Sequence, residues 1–535
     1  MKQTPAASTN TTPSNRALIP YPNEIEWLSG FAELTADASI TYMNDKAKAV
    51  AELLAAQLRP ATKYPIPVNA GPDGLIVFDI STDTLLGPEG YTLKNDGKVI
   101  RISAPRAAGL FYGAQTVRRL LPPEIFSPNS IPAIQWTIPS VEIRDLPRFG
   151  WRGLHLDGSR HFMSKKDVLK FIDVMASLKF NTFHWHLTDD QGWRIEIKKY
   201  PKLTEIGSRR AGTLKGHYLP EDEPKEYQDV PHGGFYTQDE LREIVAYATE
   251  RHINIIPEID IPGHSQAAIA AYPELGCAND PVEVRKTWGI SEIILNPEQS
   301  TIDFYKDIFV EVMELFPSKF IHIGGDEALK TQWENSLRVQ QLCAERGLKN
   351  MQDMQNWFIK QFDDFLAANG RRLIGWDEIY ESDYELSHDA IIMWWRTKAG
   401  ATIAERAVRD DHDVIIASDE NLYFDYYQAD PASEPLAIGG MLPLEKVYNF
   451  DPVIQGLTEN QTRHILGAQG QLWREYLPET EDVEYMAFPR SCALAELLWL
   501  NKDRKDYSHF IERMTVQETC FDLADINYRK MDASK

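Results

Sequence analysis

The sequence predicts an α/β protein, a (β/α)8 TIM barrel preceded by a small α+β domain, and three observations carry that prediction. Beyond Pro147, eight short apolar runs recur, each leading into a polar or aromatic cluster, with helical patterns between several of them. No glycine-rich phosphate turn follows the first run, which argues against an open, doubly wound sheet. Upstream of Pro147 the texture changes to a mixture of amphipathic stretches and alternating runs.

Taken in order, residues 1–18 read as a disordered leader. They are polar, rich in Thr, Ser and Pro, and lack the apolar core of a signal peptide. The compartment stays open on this reading, and a periplasmic or secreted origin is compatible with it if a longer N-terminus was trimmed. Residues 19–146 form the expected accessory α+β domain. Apolar spacing there predicts a helix over Ala47–Leu58, strands at Gly74–Ile80 and Val99–Ala104, and a second helix over Gly109–Leu121 stopped by Pro122-Pro123. Between Tyr91–Leu93 and Val99–Ile102, Asn95-Asp96-Gly97 is a hairpin signal. Almost no functional groups cluster in this stretch, so its expected role is structural.

Residues 147–535 form the expected barrel. Its strands are predicted at Gly153–Leu156, Asn181–Leu187, Ile253–Ile259, Phe320–Ile323, Arg372–Gly375, Ala390–Met393, Val414–Ala417 and Ile465–Gly467. Helical periodicity is clear over Lys165–Leu178, Thr237–Glu250, Ser300–Leu315 and Met351–Ala368. In such barrels the chemistry sits just past the C-terminal ends of the strands. Those positions carry Asp157 to Arg160, Asp189-Asp190, Pro262-Gly263-His264, Gly324-Gly325-Asp326-Glu327, Trp376-Asp377-Glu378, Trp394-Trp395-Arg396, Tyr423 to Asp425, and Trp473-Arg474-Glu475. Core positions would be apolar. Carboxylates and large aromatics converging on one face instead suit an uncharged, hydroxyl-rich ligand with apolar ring faces, which means a sugar.

Composition narrows the alternatives. The chain has 535 residues, 43% of them hydrophobic, far above the size at which burying a core is difficult. Its 56 basic and 79 acidic side chains give a net charge of −23, which argues against a nucleic-acid partner. No stretch approaches the ~18 apolar residues of a membrane span. Cys277, Cys343, Cys492 and Cys520 are too dispersed for a zinc knuckle or a disulfide scaffold, and fit core thiols or one or two bridges of an exported enzyme. His184-Trp185-His186 puts two imidazoles on one face of a strand, a spacing that metal sites use. The ends of strands five, six and eight offer tryptophans and acids rather than more histidines, so no metal or other cofactor is expected. Besides a metal-dependent barrel hydrolase, the rivals are a non-catalytic sugar-binding protein and a glycosidase with a protein nucleophile.

The adjacent pair Asp326-Glu327 follows the fourth strand through two glycines. Neighbouring carboxylates repel, so at least one tends towards a raised pKa, and a protonated acid beside an ionised one is what glycosidic cleavage needs. The competing reading makes Asp326 the cap of a helix beginning at Ala328, with Glu327 in its first turn.

The string Ile321-His322-Ile323-Gly324-Gly325-Asp326-Glu327 closely resembles the active-site signature of the family 20 glycoside hydrolases, the β-N-acetylhexosaminidases. Also similar to that family are Leu156-Asp157-Gly158-Ser159-Arg160-His161-Phe162, the run His184 to Arg194, Pro257-Glu258-Ile259-Asp260-Ile261-Pro262-Gly263-His264, and Gly375-Trp376-Asp377-Glu378. In the N-terminal module, Glu89-Gly90-Tyr91 and Gly109-Leu110-Phe111-Tyr112-Gly113 resemble the family's accessory domain. The resemblance implies substrate-assisted, retaining removal of terminal β-linked N-acetylhexosamine from an oligosaccharide or glycoconjugate. The substrate's acetamide oxygen attacks C1 to give an oxazolinium intermediate. It casts Glu327 as general acid/base, Asp326 as acceptor of the acetamide N–H and Tyr423 as donor to the acetamide oxygen. By the same resemblance Trp376, Trp395 and Trp473 line the acetamide pocket and floor the ring, leaving Trp394 to packing. Arg160 would hold O3 and O4, Asp425 and Glu475 would accept from O4 and O6, and Asp189 and His264 would tune the acid from behind. A homodimer is compatible with the resemblance. The segment from Thr213 to Phe235 carries no assigned role.

Overall fold

The computed structural model of the protein describes residues 16–531 apart from 219–222, 279–280, 383 and 385. Two compact units emerge. One comprises the described residues up to Arg148 with Ser177–Lys179 and the stretch from Ala495 onwards; the other comprises Phe149–Ala176 and Phe180–Leu494.

In the first unit, strands β1 (Glu24–Glu33), β2 (Ile40–Tyr42), β3 (Val68–Ala70), β4 (Ile76–Ile80), β5 (Tyr91–Asn95), β6 (Ile100–Ala104) and β7 (Thr137–Asp145) form a mixed sheet in the order β1-β7-β5-β6-β4-β2-β3. Helices α1 (Lys48–Thr62) and α2 (Ala107–Leu120) pack against it through apolar positions spaced three and four apart, such as Val50, Leu54 and Leu58. Helix α1 runs past the expected end at Leu58 and through Pro60, closing on Lys63 in the left-handed region, where the Lys63 N–H donates to the Arg59 carbonyl. Arg16, Ala17 and Leu18, expected as the end of a disordered leader, are buried instead. The Ala17 carbonyl accepts from Arg119 Nη1 at 2.9 Å and the Leu18 carbonyl from Arg513 Nη1 at 2.6 Å. The apolar run Ala17-Leu18-Ile19 is the reason; the remainder of that leader lies outside the described residues.

Asp145, fully buried at the end of β7, ties distant segments of this unit together. It accepts from the Asn23 amide at 2.9 Å, the Tyr91 hydroxyl at 2.8 Å and the Trp499 indole at 2.9 Å, and faces the buried Lys179 ammonium at 3.2 Å.

The second unit is a closed barrel of eight parallel strands joined in sequence order: Trp151–Asp157, Thr182–His186, Asn254–Glu258, Phe320–His322, Arg372–Trp376, Ile391–Trp394, Val414–Ile416 and Ile465–Gly470. Each overlaps one of the eight runs expected from sequence. Helices at Lys165–Ser177, Gln238–Glu250, Gln299–Leu315 and Met351–Ala368 do the same, and Thr237 and Glu240 form a capping box that starts the second of them.

Two layers fill the interior. Trp151, Ile256, Ile374, Ile391, Met393 and Ile415 form an apolar plug. Nearer the C-terminal mouth, strand register sets Asp157 beside His186, His186 beside Glu258, and Glu258 beside His322. That polar ring is the base on which the site stands. The segment from Thr213 to Phe235 contains short paired strands: Thr213–Leu214 pairs with Tyr227–Gln228, and His232–Gly233 with Arg209–Arg210 just upstream. Within it Glu221 and Asp222 lie outside the described residues. Among the described residues no helix is long and apolar enough to cross a membrane.

Replacing Asp145 with Ala removes the carboxylate facing a buried ammonium. The expected loss is about 3–5 kcal/mol in unfolding free energy, read from a urea melt, as for breaking a buried ion pair from one side.

Candidate active site

The turn after the fourth strand sets the geometry. Gly324, Gly325 and Glu327 all lie at positive φ, at 66°, 98° and 47°. The Gly325 N–H donates to Asp260 Oδ1 at 3.1 Å, the Gly324 N–H donates to His322 Nδ1 at 3.0 Å, and Gln355 Nε2 donates to the Gly325 carbonyl at 2.7 Å. A Cβ at position 324 would fall 1.7 Å from Asp260 Oδ1, so only glycine fits. No helix begins at Ala328; the next is Thr331–Asn335, so Asp326 does not cap a helix. A left-handed glutamate, a conformation that costs roughly 1–3 kcal/mol and persists where surroundings enforce it, instead carries its carboxylate to the pocket.

His264, itself at φ 49°, bridges the pair. Its Nε2 lies 3.6 Å from Asp326 Oδ2 and 3.5 Å from Glu327 Oε2, while Nδ1 lies 3.2 Å from Asp189 Oδ1. Burial pushes this imidazole down, but Asp189, Glu327 and Asp326 outweigh it and hold the pKa well above the usual histidine value. Asp326 moves up to about 6: burial raises it, the His264 charge opposes, and Glu327 and Glu258 add to the rise. The raised carboxyl expected from an adjacent pair is thus Asp326, and burial contributes more than its neighbour does.

Arg160 organises the opposite wall. Its Nε donates to Gln191 Oε1 at 3.0 Å, Nη1 meets Asp157 Oδ2 at 3.2 Å, Nη2 meets Asp189 Oδ2 at 2.9 Å, and Glu475 Oε1 stands 3.9 Å away. A guanidinium has five N–H donors, so two remain for a ligand after the three short contacts. The guanidinium also lies 5.1 Å over the Trp473 ring, and Trp395 and Tyr423 stack at 6.1 Å with 21° between planes. Burial and Asp425 raise Tyr423 well above the ordinary phenol value, which keeps its hydroxyl a donor.

These groups line a single pocket of about 200 Å3 at the barrel mouth. Arg160, Asp189, His264, Asp326, Glu327, Trp395, Tyr423, Asp425, Trp473 and Glu475 all line it. Trp376 does not. It is 1% exposed and faces down the barrel, its ring 5.8 Å from Trp473, and its indole donates to Glu258 at 2.9 Å. Trp394 lies in packing while Trp395 faces the pocket, as strand alternation requires. Asp425 is 4% exposed, and among the described residues neither of its oxygens, nor Asp326 Oδ1, meets a donor.

Three lining residues had no assigned role: Asp260, Tyr426 and Ile438. Asp260 stands at a strand end and was within reach of that rule; Ile438 lies far along the segment after the seventh strand and carries no chemical signal. Glu378 was also unassigned. It accepts from the Trp395 indole at 3.0 Å, and burial followed by Asp326 raises it to about 7.

The family model for the catalytic domain of glycosyl hydrolase family 20 matches residues 149–502, and the model for domain 2 of the same family matches residues 15–146. A β-hexosaminidase of Porphyromonas gingivalis is 41% identical over 517 residues, covering 96% of this chain and 64% of its own length. One from Vibrio furnissii is 37% identical over 491 residues, covering 91% of this chain and 77% of itself. Among solved structures, a mutant Streptomyces plicatus β-hexosaminidase in complex with product GlcNAc superposes with a TM-score of 0.84 at 30% identity, over 97% of each chain.

Two outcomes follow from this geometry. Gly324→Ala should abolish most activity in any soluble protein it yields, because the new methyl and Asp260 cannot both be accommodated; wild-type turnover would contradict that reading of the turn. The raised Asp326 carboxyl costs the folded state as it ionises, so that contribution is present at low pH and lost as pH rises towards about 6. Asp326→Asn removes the cost. Its melting temperature relative to wild type should therefore climb between pH 4 and pH 7 and then level off.

Proposed function

The chain belongs to glycosyl hydrolase family 20 and carries its catalytic domain, and on that footing we propose that it is an exo-acting, retaining β-N-acetylhexosaminidase. It removes terminal non-reducing β-linked GlcNAc or GalNAc from oligosaccharides or glycoconjugates. The supporting observation is a pair of buried carboxylates, Asp326 and Asp425, that present oxygens without a donor among the described residues to one aromatic-walled pocket beside Glu327. Buried acceptors of this kind call for the N–H and O–H groups of a ligand.

Glu327, the more exposed of the adjacent carboxylates, protonates the glycosidic oxygen. The substrate's own acetamide oxygen attacks C1, the C1–O bond to the leaving group breaks, and an oxazolinium ion forms. Asp326 accepts the acetamide N–H and offsets the charge that develops on that nitrogen. Tyr423 donates to the acetamide oxygen and keeps it aimed. Water then attacks C1 on the face the leaving group vacated, giving its proton to Glu327, and two inversions leave the configuration retained. Because the nucleophile is part of the bound sugar, proximity supplies what a second catalytic carboxylate would otherwise provide. Trp395 and Trp473 pack on the sugar, with Trp376 supporting them from beneath. Arg160 holds O3 and O4, and Asp425 and Glu475 hold O4 and O6; groups closing around the non-reducing end confine the enzyme to single terminal residues.

The deciding measurement is p-nitrophenol release from the β-N-acetylglucosaminide beside the plain β-glucoside. Only the first should be cleaved; comparable cleavage of both would require a protein nucleophile, and silence on both would return the pocket to a binding role. Glu327→Gln should lose roughly 10²–10⁴-fold on substrates with poor leaving groups and much less on aryl glycosides, whose leaving group departs unaided. Equal losses on both would remove Glu327 from the acid role.

A further inference from the structure

Beneath the pocket, the barrel interior holds a carboxylate that no step above uses. Glu258 ends the third strand, is fully buried, and faces imidazoles from the strands on either side. Its Oε2 lies 2.6 Å from His186 Nδ1 and 3.1 Å from His184 Nε2. Oε1 lies 3.0 Å from His322 Nδ1 and accepts from Trp376 Nε1 at 2.9 Å. The His186 and Trp376 contacts are hydrogen bonds, while the His184 and His322 nitrogens stand at contact distance from the same carboxylate.

We propose that Glu258 is a positioning residue for the reaction proposed above, holding the acid pair through His186 and the sugar floor through Trp376. Along one arm, His186 Nε2 lies 2.8 Å from Asp189 Oδ2, the other oxygen of Asp189 lies 3.2 Å from His264 Nδ1, and His264 reaches Glu327 at 3.5 Å. Signs alternate down this line. Burial pushes His186 down, but Glu258 and Asp189 outweigh it and hold its pKa well above the usual value. Burial would raise Glu258, yet His186, His322 and His184 hold it well below the usual range. An ionised Glu258 therefore keeps His186 charged, and a charged His186 fixes one side of Asp189 while His264 takes the other.

Along the second arm, the Trp376 ring, anchored by its indole N–H, lies 5.8 Å from Trp473, and the rings of His155 and His186 meet Trp473 at 4.3 and 5.0 Å. One side chain thus supports both the proton-handling and the sugar-facing parts of the pocket. The titratable groups around it are His155 from the first strand, His184 and His186 from the second, Asp189 just beyond it, Asp260 and His264 from the third, and His322 and Asp326 from the fourth. Glu258 is one cause of the raised Asp326 carboxyl, so removing its charge lets Asp326 ionise at lower pH.

Glu258→Gln keeps the volume and removes the charge. With p-nitrophenyl β-N-acetylglucosaminide, kcat should fall about ten- to a hundredfold, the range of one lost charge-assisted hydrogen bond, and the acid limb of kcat/KM should move to lower pH. A lower plateau with an unmoved limb would mean a merely structural residue and overturn the proposal. Should that variant fail to fold, the arms are tested singly. His186→Gln leaves Glu258 with His184, His322 and Trp376, and should lower kcat with little change in KM; Trp376→Phe removes one donor and should chiefly raise KM. Wild-type behaviour of both, or the same change in both, would overturn the assignment, as would stoichiometric zinc in the purified wild type. A silent wild type would fail the functional reading and this one with it, whereas an active wild type with unshifted variants fails this one alone.

Discussion

Carboxylates crowd a single barrel mouth, and Asp157, Asp189, Glu258, Asp260, Asp326 and Asp425 among them are each less than one-tenth exposed. Buried like charges are tolerated only when paired or neutralised, and most of the surrounding architecture follows from that constraint. Arg160 is placed between Asp157 and Asp189, His186 between Glu258 and Asp189, and His264 between Asp189 and the acid pair. Where no cation is at hand the proton stays: burial and Asp326 favour neutral Asp260, and burial and Glu475 favour neutral Asp425. Charge state at the mouth is a property of the whole ring, and each member is set by the next.

Strand geometry delivers those members to one place. Parallel register aligns Asp157, His186, Glu258 and His322 side by side, and the turn beyond the fourth strand then redirects the chain so abruptly that two glycines and a left-handed glutamate are needed. Asp260 is what makes the bend hold, since its carboxylate occupies the space a Cβ at position 324 would take and accepts the next amide. The rigidity of the acid therefore comes from the neighbouring strand rather than from its own loop.

The barrel and the pocket wall were legible because a positional rule, chemistry at the C-terminal ends of strands, applies wherever the strands can be counted. The clusters it marks contain Arg160, Asp189, His264, Asp326, Glu327, Trp395, Tyr423, Asp425, Trp473 and Glu475, which the resemblance singled out and which all line the pocket. Trp376, set among the pocket tryptophans by resemblance, ends its strand as the rule requires, with its indole donating to Glu258 inside the barrel. Glu258 escaped because it sits inside an apolar run, Ile255-Ile256-Pro257-Glu258-Ile259, and only three-dimensional convergence of imidazoles from two other strands gives it meaning. Ile438 escaped for the opposite reason: its segment has neither periodicity nor a reactive side chain. At the other end of the chain, composition suggested disorder through residue 18, and three apolar residues in succession were enough to bury its last part.

The N-terminal unit is discontinuous. Besides its own residues it draws on Ser177–Lys179 and on everything described from Ala495, and Asp145 joins Asn23, Tyr91, Lys179 and Trp499 at one point. On the ribosome, then, the unit begun first is finished last. Its sheet emerges early with Asp145 still short of two of its partners, and it must wait for the entire barrel segment to be synthesised before Trp499 and the helix Tyr507–Leu523 arrive. A nonsense codon near residue 495 would release a complete set of barrel strands attached to an unfinished neighbour.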